Sequence, residues 1–187
     1  MKEHPIIFNG DMVRAILAGR KTQTRRVIKP QPDELRYSGM VDNRQFARFW
    51  TPGEHENTST ITDVRCPYGV PGNHLWVRET WAIEGQYRDD TGYCYRADGD
   101  KAGVRWRSPR YMPRVVSRIT LKITGVRVER VQDIAQRDAI AEGIESGEST
   151  WTPIYEFRKL WDSINANRGY AWDTNPWVWV IEFAKLA

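Results

Sequence analysis

Hydrophobic and polar residues alternate most cleanly between residues 115 and 131. Ile119, Leu121 and Ile123 share one face there, and Val126 and Val128 resume the pattern after a bulge or turn expected at Gly125. The same period of two runs through residues 75–81 and 177–183. In the second, Trp177, Trp179, Ile181 and Phe183 oppose Val178 and Val180, as expected of a strand covered on both faces. Ile6-Ile7-Phe8 predicts a short first strand, and Val27-Ile28 another that Pro30 and Pro32 close.

Three segments instead carry helical spacing. Met12, Ala15 and Ile16 follow Asp11, which can cap a helix of about two turns, and Gly19 can end it in the left-handed conformation. Ala135, Ala139 and Ala141 mark a short helix that starts at Asp133 or Gln136 and runs to Glu142 before Gly143. Thr152 and Pro153 open a third, whose stripe is Ile154, Phe157, Leu160, Trp161 and Ile164. Residues 33–65 are polar and aperiodic, and read as an insertion carrying Phe46, Phe49 and Trp50. Residues 85–113 read as a second insertion, in which 93–95 and 104–106 form a small hairpin. Five or six strands interspersed with three helices predict a single α+β domain over residues 1–187, a small mixed β-barrel with flanking helices.

Composition narrows the function. With 40% hydrophobic and 28% charged residues the chain is globular, and no apolar run approaches a membrane span, so a cytoplasmic protein with no membrane partner is expected. Cys66 and Cys94 form no C-x-x-C pair, and His4, His55 and His74 lack metal-ligand spacing; neither a metal nor another cofactor is expected. A net charge of +4 leans towards an anionic partner, and nine Trp and eight Tyr supply rings that either fill the core or stack on bases.

The densest chemistry lies at Gly19-Arg20-Lys21-Thr22-Gln23-Thr24-Arg25-Arg26, where four cations and two hydroxyls follow the first helix. The spacing Gly19-x-Lys21-x-x-Thr24-x-Arg26 resembles the G-x-K-x-x-[E/T]-x-R signature of ASCH domains, which adopt a PUA-like β-barrel associated with RNA. The likeness extends to the N-terminal strand and helix, Pro-Gly-x-x-Leu-x-Val-Arg-Glu at 71–79, the strands after 115, Ala-x-x-Glu at 139–142 and the closing strand at 179–183. The two insertions fall outside it and are similar to additions in longer, phage-associated members.

With Thr in place of Glu in the signature, the chain is similar to a branch that hydrolyses N4-acetylcytidine to cytidine and acetate without metal. The resemblance implies catalytic roles for Lys21, Thr24 and Glu142; Glu79 is an alternative acid, and Arg20, Arg26, Glu79 and Trp76 are candidate substrate-binding residues. Amide hydrolysis needs a nucleophile, a base and oxyanion donors. Thr24 offers the hydroxyl. Lys21 can take its proton once neutral, a state that Arg20, Arg25 and Arg26 favour and the carbonyls ending the first helix oppose, which leaves burial to decide. The other reading is an RNA-binding or RNA-cleaving module that grips phosphates through Lys21, Arg25 and Arg26.

Overall fold

A computed structural model describes residues 1–41, 44–51, 59–84, 92–145 and 152–186. The N-terminal strand β1 (Glu3–Ile7) leads into α1 (Gly10–Leu17) and β2 (Gln23–Val27). Three strands follow within the first insertion: β3 (Glu34–Val41), β4 (Arg44–Thr51) and β5 (Thr60–Arg65). Next come β6 (His74–Arg78), β7 (Trp81–Glu84), β8 (Gly92–Tyr95) and the long β9 (Thr120–Arg130). Helices α2 (Gln136–Ala141) and α3 (Pro153–Asn165) precede the last strand, β10 (Trp177–Lys185).

The architecture is mixed α+β, but its main sheet is open rather than barrel-closed. Its order is β1-β6-β9-β10-β2, with β1 parallel to β6 and the other pairs antiparallel. No ladder joins the edge strands β1 and β2 among the described residues. A side chain reaches across instead, the Arg26 guanidinium donating to the Ile7 carbonyl at 2.8 Å. The other two sheets are β3-β4-β5 and β7-β8.

Strand β10 is covered on both faces, as its alternation predicts. Trp179, Ile181 and Phe183 join Phe8, Ile16, Leu75, Leu121 and Ile123 in the main core. Val178 and Val180 meet Phe157, Trp161 and Trp172 in a second core under α3. Full burial of each such side chain contributes about 1.5–3 kcal/mol. The bulge expected near Gly125 is present: Glu182 pairs with Gly125, Phe183 with Ile123, and Thr124 is the extra residue.

Other expectations need correction. Asn9, not Asp11, caps α1: its backbone is extended and its Oδ1 accepts from the Met12 amide, whereas Asp11 lies in the first turn and pairs with Arg14. The strand expected from Val27-Ile28 starts earlier, at Gln23 inside the cationic run, ends at Val27, and pairs with β10, Thr24 opposite Ile181. Residues 33–65 contain an antiparallel sheet rather than an aperiodic flap. It is anchored where Phe49 packs on Trp177, their centroids 6.0 Å apart. The strand expected over 75–81 breaks after Arg78. Strand β8 takes β7 as its partner rather than residues 104–106, and Arg107 bridges to Trp81. The third helix is capped as predicted, Thr152 Oγ1 accepting from the Tyr155 amide. No helix among the described residues is long and apolar enough to cross a membrane.

Candidate functional site

Gly19, at φ +73°, turns the chain out of α1 and delivers Lys21 to the interior. The amides of Arg20 and Lys21 both donate to the Ala15 carbonyl at the end of that helix. The Thr22 amide donates to Ala141 on α2, and the Thr22 carbonyl accepts from Phe183 on β10. Three elements therefore fix the backbone on either side of the lysine.

The Lys21 side chain is closed off from solvent, its residue retaining 2% exposure. Its Nζ donates to two oxygens of one residue, Glu142 Oε2 and the Glu142 carbonyl, each at 2.7 Å. Glu142 caps the C-terminus of α2, and Gly143 follows at φ +92°. Burial pushes the Lys21 ammonium below the ordinary lysine value of 10.5. Glu142 pulls the other way, and the Arg26 and Arg25 guanidiniums add to the lowering. The contest that the sequence left open is thus decided in favour of burial.

Thr24 retains 1% exposure and borders a cavity of about 600 Å³. Its Oγ1 accepts from Arg26 Nη1 at 3.0 Å, while the same guanidinium donates to the Arg25 and Ile7 carbonyls. Lys21 and Arg26 both lie by the Phe8 ring, at 5.5 and 5.1 Å from its centroid. No hydrogen bond joins Lys21 to Thr24 directly: Nζ is bound to Glu142, and Oγ1 to Arg26. Arg25 is also buried. It donates to Gln23 at 2.6 Å and to Glu129 at 2.9 Å, approaches Asp138 and Glu142 at 3.6 and 3.4 Å, and leaves its Nε unpaired.

Glu142 lies where two cavities meet. The first also borders Thr24, Arg26, Tyr68 and the α3 residues Phe157 and Trp161; the second borders Arg14, Arg20 and Glu145. Asn9, Met12 and Leu160 likewise belong to both walls. Tyr68, from the turn before β6, is a wall residue that the sequence did not single out. Burial raises its phenol pKa, and Arg26 beside it opposes the rise. Trp161 and Phe157 carried a signal, their helical stripe, but that pattern marks core and cavity wall alike.

Of the residues expected at the site, Lys21, Thr24, Glu142 and Arg26 converge. Arg20 does not join them, since its guanidinium pairs with Glu145 beside the second cavity at 2.7 Å. Glu79 is buried and held by Arg118 at 2.9 and 3.1 Å, so it does not stand in for Glu142 at Lys21. Burial raises its carboxyl pKa against the pull of Arg118. Trp76 lies between Arg78 and Arg114, 4.9 and 6.0 Å from its ring, and borders neither cavity. Both cysteines are free thiols, and burial pushes the Cys66 thiol up to about 11. Among the described residues no group of three or more His, Cys, Asp or Glu is arranged to hold a metal ion.

Comparison of the chain with protein-family models, with characterised proteins and with solved structures finds no match.

Proposed function

We propose that the chain is a PUA-like ASCH domain acting as an amidohydrolase on N4-acylated cytidine. The observation that carries this reading is the buried Lys21–Glu142 pair, whose carboxylate shares one cavity wall with Thr24. Further support comes from the segments that resemble the family. The signature run bonds directly to α2 through Thr22 and Ala141, and to the closing strand through Thr22 and Phe183.

Lys21 in its neutral form takes the Thr24 hydroxyl proton as Oγ1 adds to the acyl carbonyl carbon. Arg26 donates to Oγ1 and eases the loss of its proton, while the negative charge of the adduct builds on the former carbonyl oxygen. Collapse of the tetrahedral adduct breaks the C–N bond, and the Lys21 ammonium returns its proton to the departing N4 amine. Water then hydrolyses the Thr24 ester, releasing the carboxylic acid and restoring the hydroxyl. Glu142 accepts from Nζ throughout and holds the lysine in place.

Incubating purified protein with N4-acetylcytidine and separating the products by chromatography tests the reading. Cytidine and acetate are expected in equal amounts, with turnover abolished in Thr24→Ala and Lys21→Ala variants that keep the native melting profile. Absence of turnover on N4-acetylcytidine and its longer acyl homologues sinks the proposal, as does full activity in either variant.

A further inference from the structure

Cations dominate the wall of the first cavity. Arg25, Arg26, Lys29, Arg78 and Arg168 border it, against the single carboxylate of Glu142. That carboxylate is already shared between Lys21 and Arg25. The remaining four cations have no carboxylate partner among the described residues. Arg26 bonds to a hydroxyl and two carbonyls, Arg78 donates to the Met112 carbonyl, and Lys29 lies 5.1 Å from the Tyr170 ring.

The second cavity is built differently. Its cations Arg14, Arg20 and Lys159 are each matched by a carboxylate, from Asp11, Glu145 and Glu156. Positive charge is therefore neutralised in the wall of the second cavity and left open in that of the first.

The open cations are also placed in order. Lys29 follows Thr24 by five residues, about 16 Å along an extended chain. Arg168 comes two residues before Tyr170, the ring under Lys29. Val27, Phe157, Trp161 and Ile164 border the same cavity and supply apolar and aromatic surface for a base and sugar. Both Lys29 and Arg168 are exposed, so an anion can reach them from solvent. An uncharged nucleoside would leave this pair to water, whereas a phosphate ester would meet it with charge-assisted hydrogen bonds.

We infer that the substrate carries a phosphate group, held by Lys29 and Arg168 at the Tyr170 end of the cavity. This rests on the N4-acylcytidine reading for the base and adds the anion to it. The phosphate belongs either to a mononucleotide or to a strand.

Calorimetric titration of the intact protein with cytidine, cytidine 5′-monophosphate and a short oligocytidylate, at low and high salt, tests the inference without requiring catalysis. The monophosphate is expected to bind about 10- to 100-fold more tightly than cytidine, with the preference shrinking as salt rises. In Lys29→Ala/Arg168→Ala the ratio should fall towards one. Should the double variant melt early, the single Lys29→Gln and Arg168→Gln variants carry the same comparison. A further gain with the oligonucleotide assigns the anion to a strand, and no further gain assigns it to a mononucleotide. Equal affinity for cytidine and its monophosphate overturns the inference, as does a preference that survives in the variants. Hydrolysis of N4-acetylcytidine with no phosphate preference leaves the amidohydrolase reading intact and removes this one. Phosphate-dependent binding without hydrolysis does the reverse.

Discussion

Lys21 is held twice by Glu142, once by the side chain and once by the backbone carbonyl, with both hydrogen bonds at 2.7 Å. Glu142 also faces Arg25 at 3.4 Å, so the pair is unequal. Glu142→Leu strands the buried Lys21 ammonium, while Arg25 keeps Glu129 and Asp138, and should cost about 3–5 kcal/mol. Lys21→Met leaves the carboxylate with Arg25 and should cost less. Urea denaturation of both single variants and the double variant checks this. The double should be well short of the sum, and strictly additive losses would show that the two side chains do not interact.

The lowered Lys21 pKa sets the sign of a pH effect. Between that lowered value and 10.5 the unfolded chain binds more protons at this residue than the native chain does. The residue's contribution to stability therefore rises with pH across the window and is level above it. Wild type should gain on Lys21→Met as pH climbs towards 10.5, measured by denaturant midpoints at successive pH values. For catalysis, kcat/KM should rise with pH and level off below 10.5. A pH-independent profile would remove Lys21 as the base.

Arg26 connects Thr24, the proposed nucleophile, to the opposite sheet edge, donating to Thr24 Oγ1 and to the Ile7 carbonyl. Arg26→Met deletes the guanidinium that donates to Thr24 Oγ1, and kcat should fall about 10- to 100-fold, the effect of losing one charged hydrogen bond. Arg26→Lys keeps the charge but cannot bridge both acceptors, so it should recover only part of the loss. Steady-state kinetics with wild-type rates in Arg26→Met would separate this guanidinium from the chemistry.

Gly143 is constrained by conformation and by space. At φ +92° a side chain is strained, and an added Cβ would lie 2.9 Å from Ala15 Cβ and 3.1 Å from Lys21 Cβ. Gly143→Ala should cost about 1–3 kcal/mol and move the lysine, lowering turnover although the variant touches no substrate. Thermal melting and turnover should fall together; an unchanged melting curve would contradict the packing.

Helices α1 and α3 were legible because a 3.6-residue spacing is a local signal, joined in α3 by its Thr152 cap, while the cap of α1 fell two residues before the expected Asp11. Strand β2 was legible only at its end, Val27, because its other residues belong to the run that carries the signature. Its Gln23, Thr24 and Arg25 are buried polar residues, which a hydropathy pattern assigns to the surface. What permits their burial comes from far along the chain, in Glu129, Asp138 and Glu142 around Arg25. The β3-β4-β5 sheet was hidden for a related reason. Arg36 lies 5.0 Å from the Trp50 ring and Arg48 5.8 Å from the Phe46 ring, so charged side chains cover its aromatic residues and blur the alternation. Glu142 could be proposed only from a four-residue resemblance, because its pairing with Lys21 spans 121 positions.

The meeting of two cavities at Glu142 gives the carboxylate two approaches. A substrate filling the space beside Thr24 and Phe157 need not close the space beside Arg14 and Glu145. Under the proposed amidohydrolase function, the second cavity would offer water a separate approach to Glu142, the residue that holds the proposed base.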